Sequence, residues 1–257
     1  MKKPNGLVLF EGPSLLDGAP IVVIATGLAS GSTNRKTGDM VQTYILRADV
    51  SPIDALKTGA DVSICGNCPA RGTPKPGGRL EGRVCYVNVG QGPLSVWRAY
   101  KRGVYPAAAA ANVTAAGSKR VVRLGTYGDP AAAPVTIWQE LISEAVAHTG
   151  YTHQWRTAPQ LRSLCMASAD SVADATEAQA LGWRTFRVRM PTDAKRQAAE
   201  VVCPASAEAG KALTCTQCRA CGGAAKGRRG SIVINAHGGF AVMANVRKLA
   251  QLQGVAA

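Results

Sequence analysis

The chain has 257 residues, of which 46% are hydrophobic, so it can form one large domain or two small ones with a sizeable core. Thirty Lys and Arg against 16 Asp and Glu give a formal net charge of +14, which favours a polyanionic partner or an anionic ligand, with a solvated basic surface as the simpler alternative. The apolar stretches are too short for a membrane span and the N-terminus makes a poor signal peptide. We therefore predict a cytoplasmic protein with no membrane partner, whose thiols stay reduced.

Residues 1–60 predict an N-terminal β-hairpin region. "APIVVIATG" is an apolar, β-branched run, and "DMVQTYILRAD" (39–49) alternates polar and apolar residues, as strands do. The polar "SGSTNRKTG" between them predicts a turn. From Cys65 to Cys85 the chain is rich in Gly and Pro, which predicts an irregular loop.

Residues 61–190 predict an α/β unit that begins with this loop. Four strands alternate with two main helices. The predicted strands are "RVVRLG" (120–125), "YTHQW" (151–155), "CMASAD" (165–170) and "WRTFRVR" (183–189). The predicted helices are "PVTIWQELISEAVAHTG" (134–150) and "SVADATEAQALG" (171–182). This alternation is typical of a parallel sheet or barrel, and the chain is short for eight strands, so we predict a partial or distorted (β/α) barrel.

Residues 191–257 predict a second cysteine-rich loop, a last strand and a C-terminal helix. The strand is "GSIVINAH" (230–237) and the helix is "FAVMANVRKLAQLQ". We expect all three regions to form one compact domain.

Seven of the eight cysteines form two sets with spacings typical of metal ligands. The first, C-x2-C-x16-C, is Cys65, Cys68 and Cys85, and the second, C-x11-C-x2-C-x2-C, is Cys203, Cys215, Cys218 and Cys221. The close run of three in the second set is more typical of iron–sulfur proteins than of paired zinc knuckles. We predict iron–sulfur clusters, with zinc as one alternative and disulfides or free thiols as another. Cys165 stands alone on a predicted strand and is expected to be a buried apolar residue.

The first set has three cysteines and no obvious fourth ligand. Three protein ligands leave an open coordination position, and open positions perform chemistry. The alternative is a closed zinc site that is completed by Cys165 or by a nearby His or Asp.

The segment "LGTYGDP" predicts a ligand-binding turn after a strand. Ligands of parallel α/β folds lie at the carboxyl ends of strands. Gly125 and Gly128 permit close backbone approach, Asp129 can accept from an ammonium or hydroxyl group, and Pro130 follows. The alternative is a turn with an Asp cap. His153, from the next predicted strand, either lines the same mouth or lies in the core.

Residues 184–229 carry ten Lys and Arg against three Asp and Glu. Such a basic stretch is compatible with nucleic-acid binding, and equally with compensation of an anionic, thiolate-bound metal cluster.

The order of several short segments resembles the gene product 88 family of bacteriophage proteins. The segments are "NRKTG", "CGNCPARG…CYVNVGQGP", "VRLGTYGDP", "HTGYTHQW", "CMASAD", "GWRTFRVR", "CPAS…CTQC" and "IVINAH". The resemblance covers most of residues 34–237, and it implies a location in the cytoplasm of the host cell.

A three-cysteine loop followed by a Gly-x-x-Gly-acid-Pro strand end also resembles, distantly, the radical S-adenosylmethionine (radical SAM) enzymes. The resemblance implies a [4Fe–4S] cluster on Cys65, Cys68 and Cys85, with its open iron binding S-adenosylmethionine. Gly128, Asp129 and Pro130 would then face that cofactor, and the second set would hold an auxiliary cluster. The chain departs from the family pattern in two ways: sixteen residues separate its second cysteine from its third, and its acid is Asp instead of Glu.

These patterns predict a phage-type iron–sulfur protein with one or two [4Fe–4S] clusters. As a radical-SAM-like enzyme it would act on a nucleic acid or nucleotide and would need an electron donor. One alternative is a non-enzymatic zinc protein that binds DNA or RNA through residues 184–229 in phage replication or host takeover. Another is a structural iron–sulfur fold with degenerate catalysis.

Overall fold

The computed structural model describes residues 4–31, 34–190, 196–210, 213–224, 230–239 and 242–247. The strands of this part are β1 (Gly6–Pro13), β2 (Pro20–Thr26), β3 (Val41–Arg47), β4 (Thr73–Lys75), β5 (Arg79–Glu81), β6 (Val121–Tyr127), β7 (Ala147–Thr152), β8 (Met166–Ala169), β9 (Thr185–Arg189), β10 (Glu200–Val202) and β11 (Ser231–Asn235). The helices are α1 (Pro52–Thr58), α2 (Val62–Cys65), α3 (Gly92–Lys101), α4 (Ala110–Gly117), α5 (Val135–Ile142), α6 (Val172–Ala180) and α7 (Cys215–Cys218). Residues 242–247 are also helical.

Nine of these strands form one mixed sheet, which confirms an α/β fold with a large, mostly parallel sheet. Its order is β1-β2-β3-β6-β7-β8-β9-β11-β10. β1, β2 and β3 are antiparallel neighbours, and every pair from β3 to β10 is parallel. The carboxyl ends of the parallel strands therefore lie at one edge of the sheet, here called the carboxyl edge. Both cysteine sets and the "TYGDP" turn follow strands of this group.

The core lies on both sides of the first strands of the sheet. Residues 21–25 of β2 are completely buried, as are Leu124 on β6 and Trp138 on α5. An apolar, β-branched run such as "IVVIA" is typical of a strand that is covered on both faces. The Trp138 indole nitrogen donates to the Pro130 carbonyl oxygen at 2.9 Å, which fixes α5 against the turn after β6.

A buried ion pair joins the last strands. The Arg187 guanidinium of β9 donates to the Glu200 carboxylate of β10 through Nε at 2.7 Å and Nη2 at 2.8 Å. Both side chains are 0% exposed. Since β11 lies between the two strands, the pair ties the edge strand β10 to the interior of the sheet.

One predicted helix is shorter than expected. The helical pattern of residues 134–150 ends at Ile142, and β7 begins at Ala147, earlier than the predicted strand at 151–155. His148 and Gly150 pair with Val122 and Leu124 of β6, so strand pairing overrides the local helical pattern. The predicted hairpin of β2 and β3 is present, whereas most of the C-terminal helix predicted from residue 240 lies outside the described residues. None of the helices described is long and apolar enough to cross a bilayer.

Candidate metal centres at the carboxyl edge of the sheet

The three cysteines of the first set meet in one loop, although sixteen residues separate the second from the third. Cys65 ends α2, and the Cys68 amide donates to the Cys65 carbonyl oxygen at 3.3 Å. The intervening residues form the β4–β5 hairpin, which folds back on itself. The Cys85 amide then donates to the Ala70 carbonyl oxygen at 2.9 Å. The long spacer is thus a self-contained hairpin that returns Cys85 to the other two cysteines.

An ion pair holds this cysteine loop in shape. Arg71 donates to the Asp61 carboxylate at 2.6 Å and 2.9 Å, and Asp61 is almost fully buried. The same guanidinium donates to the carbonyl oxygens of Gly59 and Gly66, each at 3.0 Å. One arginine therefore fixes the backbone on both sides of α2.

The "TYGDP" turn lies directly against the helix that carries Cys65. The Asp129 amide donates to the Ile64 carbonyl oxygen at 2.6 Å. Gly128 has φ +84°, and a Cβ there would lie 2.6 Å from the Ile45 Cβ and 3.3 Å from the Ile64 oxygen. Gly125 has φ +67°, and a Cβ there would lie 2.6 Å from the Gly128 oxygen. Only glycine permits this approach of the strand end to α2.

The Asp129 carboxylate is buried and accepts hydrogen bonds from three groups of the protein itself. It is 6% exposed and accepts from the Thr152 hydroxyl at 2.7 Å, the His153 amide at 2.8 Å and the Ala131 amide at 3.0 Å. Burial raises the pKa of Asp129, although these donors act in the opposite direction. The carboxylate caps the turn at Pro130–Ala132, which is the alternative role that the sequence left open. It also fixes the end of β7 to the end of β6.

His153 belongs to the cysteine loop and not to the core. Its Nε2 lies 3.8 Å from the Cys68 sulfur and 3.3 Å from the Asp170 Oδ1, and its side chain is 23% exposed. Burial lowers the pKa of His153, but the hydrogen bonds to Asp170 and Cys68 outweigh burial and hold that pKa well above its usual value. Histidine, cysteine and aspartate thus come together at the ends of three different segments.

Buried donors without an acceptor lie beside both cysteine sets. Among the described residues, the buried side-chain polar atoms that lack a hydrogen-bond partner are Arg83 Nε, Arg123 Nε and Tyr127 Oη. Tyr127 is 4% exposed, and burial raises its pKa, with Cys65, Asp61 and Cys85 adding to the increase. Arg83 donates through its other nitrogens to the Cys85 and Val87 carbonyl oxygens. An unpaired buried donor costs about 1–3 kcal/mol, so these atoms fit a site whose thiolates or sulfides would accept from them.

The second set gathers its four cysteines in one apolar cluster. Cys203 follows β10, while Cys215 and Cys218 begin and end α7, and Cys221 lies three residues beyond. Burial raises the pKa of Cys221 to about 12; a hydrogen bond to Tyr151 opposes the rise, and the other three cysteines add to it. Thr214 and Gln217 form a capping box at the start of α7. The arrangement is a four-thiol set on a capped helical turn.

Two distant segments hold the second cysteine loop. In the "NRKTG" segment, the Lys36 carbonyl oxygen accepts from the Cys215 amide at 2.9 Å, and the Thr37 oxygen accepts from the Thr216 amide at 3.1 Å. From β9, the Arg184 guanidinium donates to three carbonyl oxygens of the loop region, those of Ala220, Gly223 and Gly230. The sequence did not indicate either role.

The basic stretch 184–229 is partly internal. Arg184 and Arg187 are 8% and 0% exposed, so neither offers its charge to a nucleic acid. Lys195, Lys211 and the basic residues at 226–229 lie outside the described residues. Two of the ten charges that predicted a nucleic-acid surface therefore have a structural role.

A half-buried cation, Arg123, lies between the two sets. Arg123 of β6 donates through Nη2 to the Tyr86 hydroxyl at 3.2 Å, and Tyr86 follows Cys85. The same guanidinium lowers the pKa of Cys215, although burial raises it more. Tyr86 also stacks on His237, after β11, with 5.6 Å between the ring centroids.

All eight cysteines are free thiols, and Cys165 is completely buried in the main core, as its isolated position predicts. Over the described ranges, no group of three or more His, Cys, Asp or Glu side chains lies close enough to hold a metal ion without rearrangement. Backbone hydrogen bonds therefore bring the segments of each cysteine set together. The side chains of the described residues do not surround a common point.

The chain matches no protein-family model, and neither the curated proteins nor the solved structures contain a match to it.

Proposed function

We propose that this chain is an iron–sulfur protein of radical-SAM-like design, with a reactive cluster on Cys65, Cys68 and Cys85. The contact between the Asp129 amide and the Ile64 carbonyl oxygen carries the proposal. It joins the cysteine loop after the first parallel strand to the Gly-Asp-Pro turn after the next one, as the resemblance requires. Tyr127 and Arg83 support the proposal, since each offers an unpaired buried donor beside the same cysteines.

The strand order supports a partial barrel. β3, β6, β7, β8 and β9 are parallel, and their order in the sheet is their order in the chain, as in a (β/α) barrel. The last two strands exchange places, since β11 lies beside β9 and β10 lies at the edge. The loops after these parallel strands lie along the carboxyl edge, where barrel enzymes build their sites.

The residues of this chain would bind and shield the reacting groups. Cys65, Cys68 and Cys85 would hold a [4Fe–4S] cluster, which would supply the electron for cleavage of S-adenosylmethionine. Gly128 permits close backbone approach at the strand end, and Asp129 orients that backbone through its three internal hydrogen bonds. The second set would hold an auxiliary cluster, with Lys36 and Arg123 as nearby cations. The chain has a net charge of +14, which favours an anionic substrate, and we therefore propose a nucleotide or nucleic acid.

Anaerobic purification and reconstitution, with iron, sulfide and zinc analysis, is the test. We expect about eight iron atoms per chain. Cys68→Ser and Cys218→Ser should each lose about four of them. Cys165→Ser should lose none, because Cys165 is a core residue. With a reductant, the loaded wild-type protein should convert S-adenosylmethionine into 5′-deoxyadenosine, and Cys68→Ser should not.

The other outcomes select among the alternatives. A colourless protein that carries zinc alone would refute the iron–sulfur proposal and favour the zinc-binding, nucleic-acid-binding alternative, for which the four thiols of the second set are already sufficient. DNA or RNA affinity must then fall as salt rises, because phosphate contacts release counterions. Clusters without cleavage of S-adenosylmethionine would indicate a structural or electron-transfer protein.

A further inference from the structure

We propose that the stacked rings of Tyr86 and His237, with Lys36 beside them, form a surface that binds single-stranded nucleic acid. This surface is here called the aromatic platform. It rests on the proposed function only for the class of substrate, and it gives that substrate a place on the protein. The platform lies outside residues 184–229, whose composition predicted a nucleic-acid contact.

The exposed ring of Tyr86 carries the inference. Of the Phe, Tyr and Trp residues that the structure describes, Tyr86 alone is exposed, at 52%. Its ring stacks on that of His237, which is also exposed, with 5.6 Å between the centroids and 25° between the planes. Exposed rings offer faces on which unpaired bases stack, and such stacking tolerates any base because every base has a π face.

Hydrogen bonds hold both rings in place. The Arg123 Nη2 of β6 donates to the Tyr86 hydroxyl at 3.2 Å. The His237 Nδ1 lies 2.9 Å from the Asn235 carbonyl oxygen, and since a carbonyl oxygen can only accept, Nδ1 is the nitrogen that donates. In the neutral ring Nε2 is then the acceptor, and the Lys36 Nζ lies 3.4 Å from it. Rings that are fixed in this way lose little freedom when a base stacks on them.

Lys36 gives the platform a positive charge that no carboxylate neutralises. Lys36 and its neighbour Arg35 are exposed, and among the described residues no carboxylate oxygen lies within 4 Å of either cation. The acids of the adjoining segments are bound elsewhere. Asp39 accepts from Arg120 at 2.7 Å, and Glu208 accepts from a backbone amide of β11 at 2.9 Å. The charge of Lys36 is therefore available to a phosphate next to a stacked base.

An open stack favours a single strand over a duplex or a free nucleotide. In a duplex the bases are already paired and stacked on one another, so their faces are not available. Sites for small ligands are concave and enclose most of the ligand, whereas Tyr86 and His237 are exposed. Exposed aromatic rings beside cations are the arrangement with which proteins bind single strands without sequence preference.

Fluorescence anisotropy with a labelled single-stranded DNA of about 16 nucleotides, the upper end of common site sizes, tests the platform. Tyr86→Leu keeps an apolar side chain but removes the ring, and it should weaken binding roughly 5- to 150-fold, the loss that follows removal of one stacking ring. Tyr86→Phe keeps the ring and should retain most of the affinity. The matched control is Tyr100→Leu, since Tyr100 is half-buried and its hydroxyl donates to Glu11 at 2.7 Å; it should bind as the wild type does.

Lys36→Gln tests the phosphate contact. It should reduce the slope of log affinity against log salt by about 0.7, the value for one phosphate of a single strand. Metal content should not change, because the Cys215 amide is bound to the backbone oxygen of residue 36, which the substitution keeps. In addition, a strand that carries a halogenated uracil, irradiated with the wild-type protein, should cross-link to Tyr86 or His237, as mass spectrometry can show.

The outcomes separate the platform from the proposed function. Wild-type affinity in Tyr86→Leu, or cross-links that fall only on other residues, would overturn the platform. Equal affinity for the duplex of the same sequence, or equally strong binding of a free nucleoside triphosphate, would also overturn it. Iron and sulfide analysis of the same samples decides the iron–sulfur proposal separately. Strand binding that depends on Tyr86 in a protein without iron would support the platform and refute the iron–sulfur proposal. Cross-linking uses the wild type, so the test survives a variant that fails to fold.

Discussion

The pair of Arg187 and Glu200 allows a stability prediction that does not depend on any metal. Both side chains are 0% exposed, and two parallel hydrogen bonds of 2.7 and 2.8 Å join them. Arg187→Met keeps much of the side-chain volume but leaves the Glu200 carboxylate, within the described chain, with a hydrogen bond from the Gln197 backbone amide at 3.0 Å. The variant therefore buries a carboxylate that has lost its ion-pair partner, with Arg196 as the more distant cation that remains.

The expected loss in unfolding free energy is about 3–5 kcal/mol, which is typical of a broken buried pair. The attraction itself is roughly 6 kcal/mol at 2.8 Å and an effective dielectric constant of about 20, and desolvation offsets part of it. The matched control is Lys75→Met, which removes an ion pair whose side chains are 48% and 62% exposed. That control should lose only about 0–1 kcal/mol. Urea unfolding followed by circular dichroism, at equal metal content, measures both.

The pH dependence of the unfolding free energy distinguishes the wild type from Arg187→Met more sharply than a single value does. Burial raises the pKa of Glu200, but hydrogen bonding to Arg187 and Gln197 outweighs it and lowers that pKa overall. The wild-type contribution is therefore present above the unfolded pKa and is lost as the pH falls through the lower folded value. Without Arg187, we expect burial to raise the pKa of the Glu200 carboxyl, so the unfolding free energy of Arg187→Met should recover as the pH falls below 7. A loss no larger than that of Lys75→Met, or an unchanged pH trend, would refute the reasoning.

Three further predictions concern the candidate sites. Gly128→Ala should cost about 2–4 kcal/mol in unfolding free energy, because its Cβ meets Ile45 and its φ is positive; a cost below that of Gly18→Ala, whose Cβ meets nothing within 4 Å, would contradict the contact. Tyr127→Phe should lower the midpoint potential of the first centre and leave its iron content unchanged, since it removes a donor to sulfur; an unchanged potential would count against that donor. Arg184→Met should lower metal retention by the second set, measured by competition with a chelator, and equal retention would show that the loop holds without it.

The sequence predicted helices and strands correctly where the hydrophobic pattern of a segment agrees with the structure that its neighbours in the fold require. The β-branched runs of β2, β6 and β9 are strands, and Pro134 and Gly150 bracket a helical pattern that is real as far as Ile142. Beyond Ile142 the same pattern fails, because residues 147–150 pair with β6. Periodicity in one segment contains no information about which strand lies beside it.

The candidate sites show the same limit. Cysteine spacing predicted both sets, but the β4–β5 hairpin that returns Cys85 to Cys68 lies in a Pro- and Gly-rich stretch that reads as loop. The basic stretch 184–229 shows a second limit of sequence analysis. Composition gives the number of charged side chains, but not which of them are exposed to solvent and which are buried. Arg184 and Arg187 are buried, and the Thr216 hydroxyl of the second cysteine loop donates to the Thr37 carbonyl oxygen, 179 residues away in the chain.

The position of Arg123 bears on the charge state of both cysteine sets. Its guanidinium lies between Tyr86 of the first loop and Cys215 of the second, with Nε unpaired. The Arg123 side chain is half-buried, but its Nε–H is buried, and a buried N–H that lacks an acceptor is costly. Protonated thiols and disulfides are neutral and would leave that cost in place, whereas a thiolate-bound metal centre carries negative charge and offers sulfur acceptors to the unpaired N–H. The unpaired N–H of Arg123 is therefore a reason to propose metal–thiolate centres in preference to disulfides or free thiols, for the second set first and, through Tyr86, for the loop of Cys85.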